Sequence, residues 1–125
     1  MNIILFGPPG AGKGTQADNI TETFNLYKIS TGDLLRDEIN KKTNLGERIK
    51  SIINKGSFVS DEIINDLIVK ILSVQKYYNR LIFDGYPRNL DQAKSLDDLL
   101  KKYKQKITCV LCLNVDKDVI IKRIL

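Results

Sequence analysis

Lys13 stands at the end of a glycine-rich run, Gly7-Pro8-Pro9-Gly10-Ala11-Gly12, and is followed by Gly14 and Thr15. Glycines let the backbone turn with positive φ and come close to a ligand, so successive N–H groups can point at phosphate oxygens. A long cation beside such a cradle reaches the outer phosphates of a nucleotide, and the spacing is the GxxxxGK part of a Walker A motif. The residue after the lysine is Gly14 where a Ser or Thr is usual, and the hydroxyl arrives one position late at Thr15. That spacing predicts a metal held mainly by phosphates and water. A plain β-to-α turn can also be glycine-rich. Here, however, the apolar run Ile3-Ile4-Leu5-Phe6 precedes the loop and a helical pattern follows it, which is the context the motif requires.

A carboxylate and several arginines extend the same chemistry. Asp84 closes the apolar stretch Arg80-Leu81-Ile82-Phe83. At the end of a strand beside the phosphate loop it would hold Mg²⁺ or its waters, while as a bare strand-end aspartate it would cap the turn at Gly85. Asp33 is a second candidate for the water shell, and its place at a helix start explains a carboxylate there equally well. Arg36, Arg88 and Arg123 fall near the expected carboxyl end of the sheet, where open α/β folds bind ligands. The planar guanidinium fork suits phosphate. Several fixed cations, one metal and exclusion of water would suffice for phosphoryl transfer without any nucleophilic side chain.

These residues need elements to hold them. Ala17, Ile20 and Phe24 recur at helical spacing after Lys13, and the helix should end near Asn25. Tyr27-Lys28-Ile29-Ser30 reads as a strand. Thr31 is placed to cap the next helix, and a further helix carrying Leu45, Ile49, Ile52 and Ile53 should stop at Gly56. Ser60-Asp61-Glu62 starts a long helix expected to reach about Tyr77, and Asn89 with Gln92 three positions on starts another. A strand over 107–115 and a helix opened by Asp116 complete the pattern. Strands alternate with helices and no hairpin signal intervenes, so a parallel sheet with crossover helices is expected.

The composition narrows the function classes. A chain of 125 residues supports one core and one domain. Its net charge of +5 comes from scattered lysines, and the densest group, Lys101, Lys102, Lys104 and Lys106, reads as a solvated helix end instead of a nucleic-acid surface. With no histidine, metal or acid–base sites built on imidazole are excluded. Cys109 and Cys112 have CxxC spacing but sit in an apolar strand, where residues three apart face opposite ways, so two structural thiols are expected. No segment resembles a signal peptide or reaches transmembrane length, which makes the cytoplasm the default location.

Three stretches, GPPGAGKGTQ at 7–16, STGDLLR at 30–36 and DGYPRNLDQA at 84–93, together resemble the adenylate kinase family, and the likeness runs nearly the whole length. Gly14 is itself the form that family uses. The resemblance implies an α/β fold of the P-loop NTPase three-layer type with a five-stranded parallel sheet. Residues 1–125 would be a single truncated P-loop kinase core with a helical monophosphate-binding insertion at about 30–59. A lid, a last strand and further helices would lie beyond Leu125, so this chain alone should be a poor enzyme. By position, Gly10, Ala11, Gly12, Lys13, Gly14, Thr15 and Arg123 would bind ATP. Thr31, Arg36, the backbone of Ser57, Phe58 and Val59, the segment Gly85-Tyr86-Pro87-Arg88, and Gln92 would receive AMP. Lys13, Arg88 and Asp84 would be catalytic, with Mg²⁺ held at Asp84 and Asp33 through water. The reaction implied is reversible, Mg²⁺-dependent phosphoryl transfer from ATP to AMP, giving two ADP. Gln92 also fits a bare capping role. The implied partners are the nucleotides ATP, AMP and ADP, with no nucleic acid and no membrane, and the complete protein is expected to be a monomer. A pyrimidine monophosphate kinase shares the loop, although Thr31 and Gln92 side with adenine; a non-catalytic nucleotide-binding fragment is the other alternative.

Overall fold

The computed structural model describes residues 1–7 and 12–113, and residues 119–122 as backbone. Among the described residues five strands and five α-helices follow in this order: β1 (Asn2–Phe6), α1 (Lys13–Phe24), β2 (Tyr27–Ser30), α2 (Thr31–Asn40), α3 (Asn44–Asn54), α4 (Asp61–Leu72), β3 (Leu81–Asp84), α5 (Leu90–Lys102), β4 (Cys109–Leu113) and β5 (Val119–Lys122). The sheet order is β2-β3-β1-β4-β5. β1 runs parallel to β3, with Leu5 opposite Asp84, and parallel to β4, with Phe6 opposite Cys112; β2 adds in parallel outside β3. The chain therefore passes from β3 over β1 to β4. The carboxyl ends of four strands meet on one side, where such a crossing opens a crevice.

Alternation along each strand builds two cores, as a parallel sheet covered on both faces requires. Ile3, Leu5 and Ile82 pack with Ala17 of α1 on one face. Ile4, Leu81 and Phe83 pack on the other with Ile64, Leu67 and Ile68 of α4 and Leu96 and Leu100 of α5. Leu34 of α2 and Ile49 of α3 join this second core, so the helices of the 30–59 stretch share it with the sheet. Cys109 packs on the α1 face, whereas its neighbour Val110 packs on the other; by the same alternation Cys112 faces away from Cys109, as the spacing predicts. Both are half-buried thiols.

Local chemistry explains where several helices begin and end. Asn25, at φ 54°, closes α1. Gly56, at φ 73°, follows α3, and the Ser57 N–H donates to the Ile52 carbonyl at 3.1 Å while the Gly56 N–H donates to that of Ile53 at 2.9 Å. These two bonds form a Schellman motif. Ser60 and Asn89 cap α4 and α5 through their side chains.

Five expectations change. The cap of α2 is Ser30, whose hydroxyl accepts the Asp33 N–H at 3.2 Å, because Ser30 is still extended and Thr31 is already helical. α4 ends at Leu72, not near Tyr77: Ser73 folds its hydroxyl back to the Val69 carbonyl at 2.8 Å and Val74 turns extended. A 3₁₀ turn then brings Tyr77 onto Tyr27, with ring centroids 4.0 Å apart. Phe24 is 53 % exposed, not part of the buried stripe, since α1 stops there. The fourth strand spans 109–113 among the described residues, shorter than 107–115. Asp116 lies outside the described residues, but Val119–Lys122, expected as helix, forms β5 antiparallel to β4. The β-branched run Val119-Ile120-Ile121 favours strand, and pairing with the edge of β4 supplies its backbone hydrogen bonds. The described sheet thus has the four parallel strands expected of this stretch, with β5 as an added antiparallel edge.

One polar cluster ties α2 and α3 to α4. Glu38 is buried, accepts from the Thr43 hydroxyl at 2.8 Å and pairs with Lys70 of α4 at 3.0 Å. Burial alone would raise its pKa, but the bonds from Thr43 and Lys70 outweigh that and hold the carboxyl below its ordinary value. Thr43 also caps α3 by accepting the Gly46 N–H at 2.9 Å. Gly46 lies so close to α2 that a Cβ would come within 2.3 Å of the Glu38 carbonyl oxygen.

Candidate active site

Lys13 owes its position to the way α1 begins. Gly12 is the N-cap residue at φ 79°, a left-handed conformation that glycine adopts without the strain a Cβ brings, and its carbonyl receives the first helical bond from Gln16 at 3.0 Å. Gly7 at the end of β1 is confined: a Cβ there would lie 3.2 Å from Leu113 and 3.5 Å from Lys13. Gly14 and Thr15 are exposed in the first turn of α1. Gly10 and Ala11 lie outside the described residues. Lys13 forms an ion pair with Asp84, whose side chain is only 9 % exposed.

The segment after β3 brings a second cation to the same place. The Gly85 N–H donates to the Leu5 carbonyl at 3.1 Å, which carries the β1–β3 pairing one residue past Asp84. Gly85 then turns at φ 75°, and the Tyr86–Pro87 peptide is cis. Arg88 returns over the turn, donating from Nε to the Gly85 carbonyl at 2.8 Å. A Cβ built on Gly85 would stand 3.6 Å from the Arg88 guanidinium and 3.8 Å from the Lys13 ammonium. Both cations therefore border one small space. It opens into a cleft of about 930 Å³ lined by Phe6, Gly7, Lys13, Gly85, Pro87 and Arg88 among others.

Arg88 also borders a second pocket of about 370 Å³. Here the structure gathers most of the residues expected on the acceptor side: Thr31, Ser57, Phe58, Val59, Tyr86, Arg88 and Gln92 all line it. Leu35, Ile53 and Ile64 give it apolar walls, and Phe58, 98 % exposed, stands at its rim. Since Ser30 caps α2, the Thr31 side chain is left to face this pocket. The Tyr86 hydroxyl donates to Asn65 at 3.2 Å; burial, with the charge of Asp61, pushes its pKa up to about 12, so it stays a neutral donor.

Other expected residues stand elsewhere. Gly85 and Pro87 line the first cleft. Arg36 folds over Gly32 and pairs with Asp33, and neither Arg36 nor Asp33 lines the two pockets. The Arg36 guanidinium, with the Ser30 hydroxyl, holds the Asp33 carboxyl below its usual range. Arg123 lies outside the described residues. Gln92 plays the capping part: its N–H donates to Asn89 at 2.8 Å and its side-chain oxygen accepts the Arg88 N–H at 2.8 Å. Its amide nitrogen donates to Asp61 at 2.8 Å. Asp61 lines the second pocket, a role hidden in the sequence behind its equally good fit to a helix start.

Mg²⁺ suits this donor set. The ion keeps several waters and uses one or two carboxylates alongside substrate phosphates, and Asp84 is a single strand-end carboxylate beside the lysine of the glycine loop. No group of three or more acidic or thiol ligands occurs among the described residues, so an all-protein cage is not what they form.

A glycine-rich sequence between β1 and α1, a carboxylate ending the neighbouring strand and a crevice at the sheet's carboxyl end define an α/β protein of the P-loop class. The family model for adenylate kinase matches residues 5–125. The chain belongs to the adenylate kinase family. It is 55% identical to the adenylate kinase of Pelagibacter ubique over 100% of this chain and 59% of that protein. The adenylate kinase of Petrotoga mobilis is 46% identical over 99% of this chain and 56% of its own length, and that of Mycoplasma capricolum is 45% identical over 99% and 57%. The chain thus spans less than three fifths of the length of these curated relatives.

Proposed function

We propose that this chain forms the phosphate-loop and acceptor side of a Mg²⁺-dependent enzyme that transfers the γ-phosphoryl group of ATP to AMP, giving two ADP. The observation that carries this reading is the convergence of Lys13 and Arg88 on the space over Gly85, with Arg88 shared between the two pockets. One pocket would take each nucleotide, and the phosphates would meet between them. Residues 30–59, as α2 and α3 with the loop to Val59, serve as the acceptor-side insertion. The backbone of Gly10 to Thr15 cradles the ATP phosphates, and Arg123 contacts the same nucleotide.

In the reaction an oxygen of the AMP phosphate forms a bond to the γ-phosphorus while the bond from that phosphorus to the β–γ bridging oxygen breaks, and the electron pair stays on the departing ADP. Charge spreads over the oxygens of the phosphoryl group in flight, so fixed cations lower the barrier with no covalent help. Lys13 neutralises the donor side and the transferring group, and Arg88 the transferring group and its acceptor. Arg36 joins them on the AMP phosphate once it releases Asp33. Asp84, with Asp33 as a second candidate, would hold Mg²⁺ through water, and the ion would supply positive charge against the phosphates. Tyr86, fixed by Asn65, and the apolar wall of Leu35, Ile53 and Ile64 keep water from the acceptor base.

The protein acts as a monomer on free nucleotides in the cytoplasm. No helix among the described residues is long and apolar enough to cross a membrane. Lys101, in the basic stretch, pairs with Asp97 at 3.0 Å at the end of α5, which supports a solvated helix end. Measuring ADP formation from ATP with AMP, UMP or CMP as acceptor tests the proposal. AMP should be used far better than either pyrimidine nucleotide. Equal use of UMP would place the protein with the pyrimidine kinases, and no transfer to any acceptor by the full-length protein that carries this chain would refute the enzymatic reading.

A further inference from the structure

We infer that Asp61 is a positioning residue that sets which base the acceptor pocket takes, by locking the orientation of the Gln92 amide. The inference rests on the acceptor reading above. The two ends of a carboxamide have nearly the same shape, so neighbours decide which end is oxygen and which is nitrogen. For Gln92 those neighbours are unambiguous. The Arg88 main-chain N–H can only donate, and it meets Oε1 at 2.8 Å. An ionised Asp61 can only accept, and it meets Nε2 at 2.8 Å. A flipped amide would set N–H against N–H at one end and oxygen against carboxylate at the other.

With both contacts made, the amide still has one lone pair on Oε1 and one N–H on Nε2, and Gln92 borders the acceptor pocket. A carboxamide offering an acceptor beside a donor pairs with adenine, whose amino group donates beside a ring nitrogen that accepts. A purine with an oxo group in place of the amino group presents the reverse order, which the same amide can meet only after flipping. Asp61 opposes that flip, so the preference for a 6-aminopurine over a 6-oxopurine depends on a residue that need not touch the base. Its attachment at the first turn of α4, behind the Ser60 cap, keeps it in place.

The test compares the affinities of AMP, IMP and ribose 5-phosphate, by calorimetry, for the unaltered protein and for Asp61→Ala and Asp61→Asn. Unaltered protein should prefer AMP to IMP. Asp61→Ala should narrow that preference about tenfold, the discrimination one misread hydrogen-bond pair costs at a base edge. Asp61→Asn keeps the side-chain size and can still accept through Oδ1, so it should narrow the preference less and guards against loss of folding in the alanine variant. Ribose 5-phosphate affinity should stay within about twofold, because the phosphate contacts do not involve Asp61. An unchanged AMP-to-IMP ratio in both variants, or equal weakening of all three ligands, would overturn the inference while leaving the acceptor reading intact. No preference for AMP in the unaltered protein would overturn that reading and this inference together.

Discussion

The two ends of the sheet use polar groups in opposite ways. At the amino end, Asn2 is fully buried and its amide is saturated: it donates to Gln105 at 3.0 Å and to the Lys106 carbonyl at 3.1 Å, and accepts the Leu81 N–H at 3.2 Å. Gln105 in turn receives the Asn79 N–H at 3.0 Å, and Thr108 bonds to the Asn2 backbone in both directions. These contacts join β1, β3 and the approach to β4 into one clamp. At the carboxyl end, Lys13 pairs with Asp84, Arg88 lines the second pocket with Asp61, and both cations stand over open clefts. The bonds at the amino end fix the strands relative to one another, although the Gln105 side-chain nitrogen is buried without a partner among the described residues. Cations that face open clefts can take up an anion that the protein itself does not supply. Precision at one end of the sheet therefore serves binding at the other.

Substitutions should separate the two ends. The largest effect belongs to Lys13→Ala, which removes a cation aimed at the phosphates and should lower turnover roughly 10²- to 10³-fold. The fold should survive with a lowered melting temperature, because the largely buried Asp84 loses its ion-pair partner; near-normal ADP formation would remove Lys13 from the mechanism. Asn2→Ala should do the reverse. It strands the Leu81 N–H in the interior, while the Gln105 oxygen keeps the Asn79 N–H, at a cost of about 2 kcal/mol. Urea unfolding should report that loss while nucleotide affinity in the folded fraction is unchanged.

Two smaller effects probe the junction between these regions. Gly46→Ala pushes a Cβ into the α2 backbone and should destabilise by about 2 kcal/mol through overpacking. A neutral result by thermal unfolding would mean that α3 can slide away from α2. Lys70→Met removes one of the groups that hold Glu38 charged, and should cost about 1 kcal/mol at neutral pH. Glu38 has a depressed pKa in the folded state, so its contribution is present above the unfolded value and is lost as pH falls through the folded one. The gap between Lys70→Met and the unaltered protein should therefore close on acidification. A gap independent of pH would show that Lys70 acts through packing alone.

The step from β1 to the helix opened at Lys13, the strand carrying Asp84 and the caps at Ser60, Asn89 and Gly56 were legible because each depends on neighbours within a few positions. The Ser30 cap escaped for a finer reason. Ser and Thr adjoin at 30 and 31 and both can cap, and only backbone φ decides between them. The end of α4 depends on Tyr77 meeting Tyr27, fifty positions away, and β5 depends on an edge provided by β4. Long-range pairing also hid the polar clamp and the hold of Asp61 on Gln92, since neither leaves a periodic signal. The Arg36–Asp33 pair shows the opposite case, where a motif residue is engaged locally and stands away from the pocket it was expected to line.

The central claim is that Lys13 and Arg88 act on one phosphoryl group. A double-mutant cycle tests it most directly, with kcat/KM for ADP formation measured for the unaltered protein, Lys13→Ala, Arg88→Ala and the double variant. Cations that share a target are coupled, so the double variant should lose at least about tenfold less than the product of the two single losses. Losses that multiply would mean that the two cations serve separate groups, and would contradict a common site over Gly85.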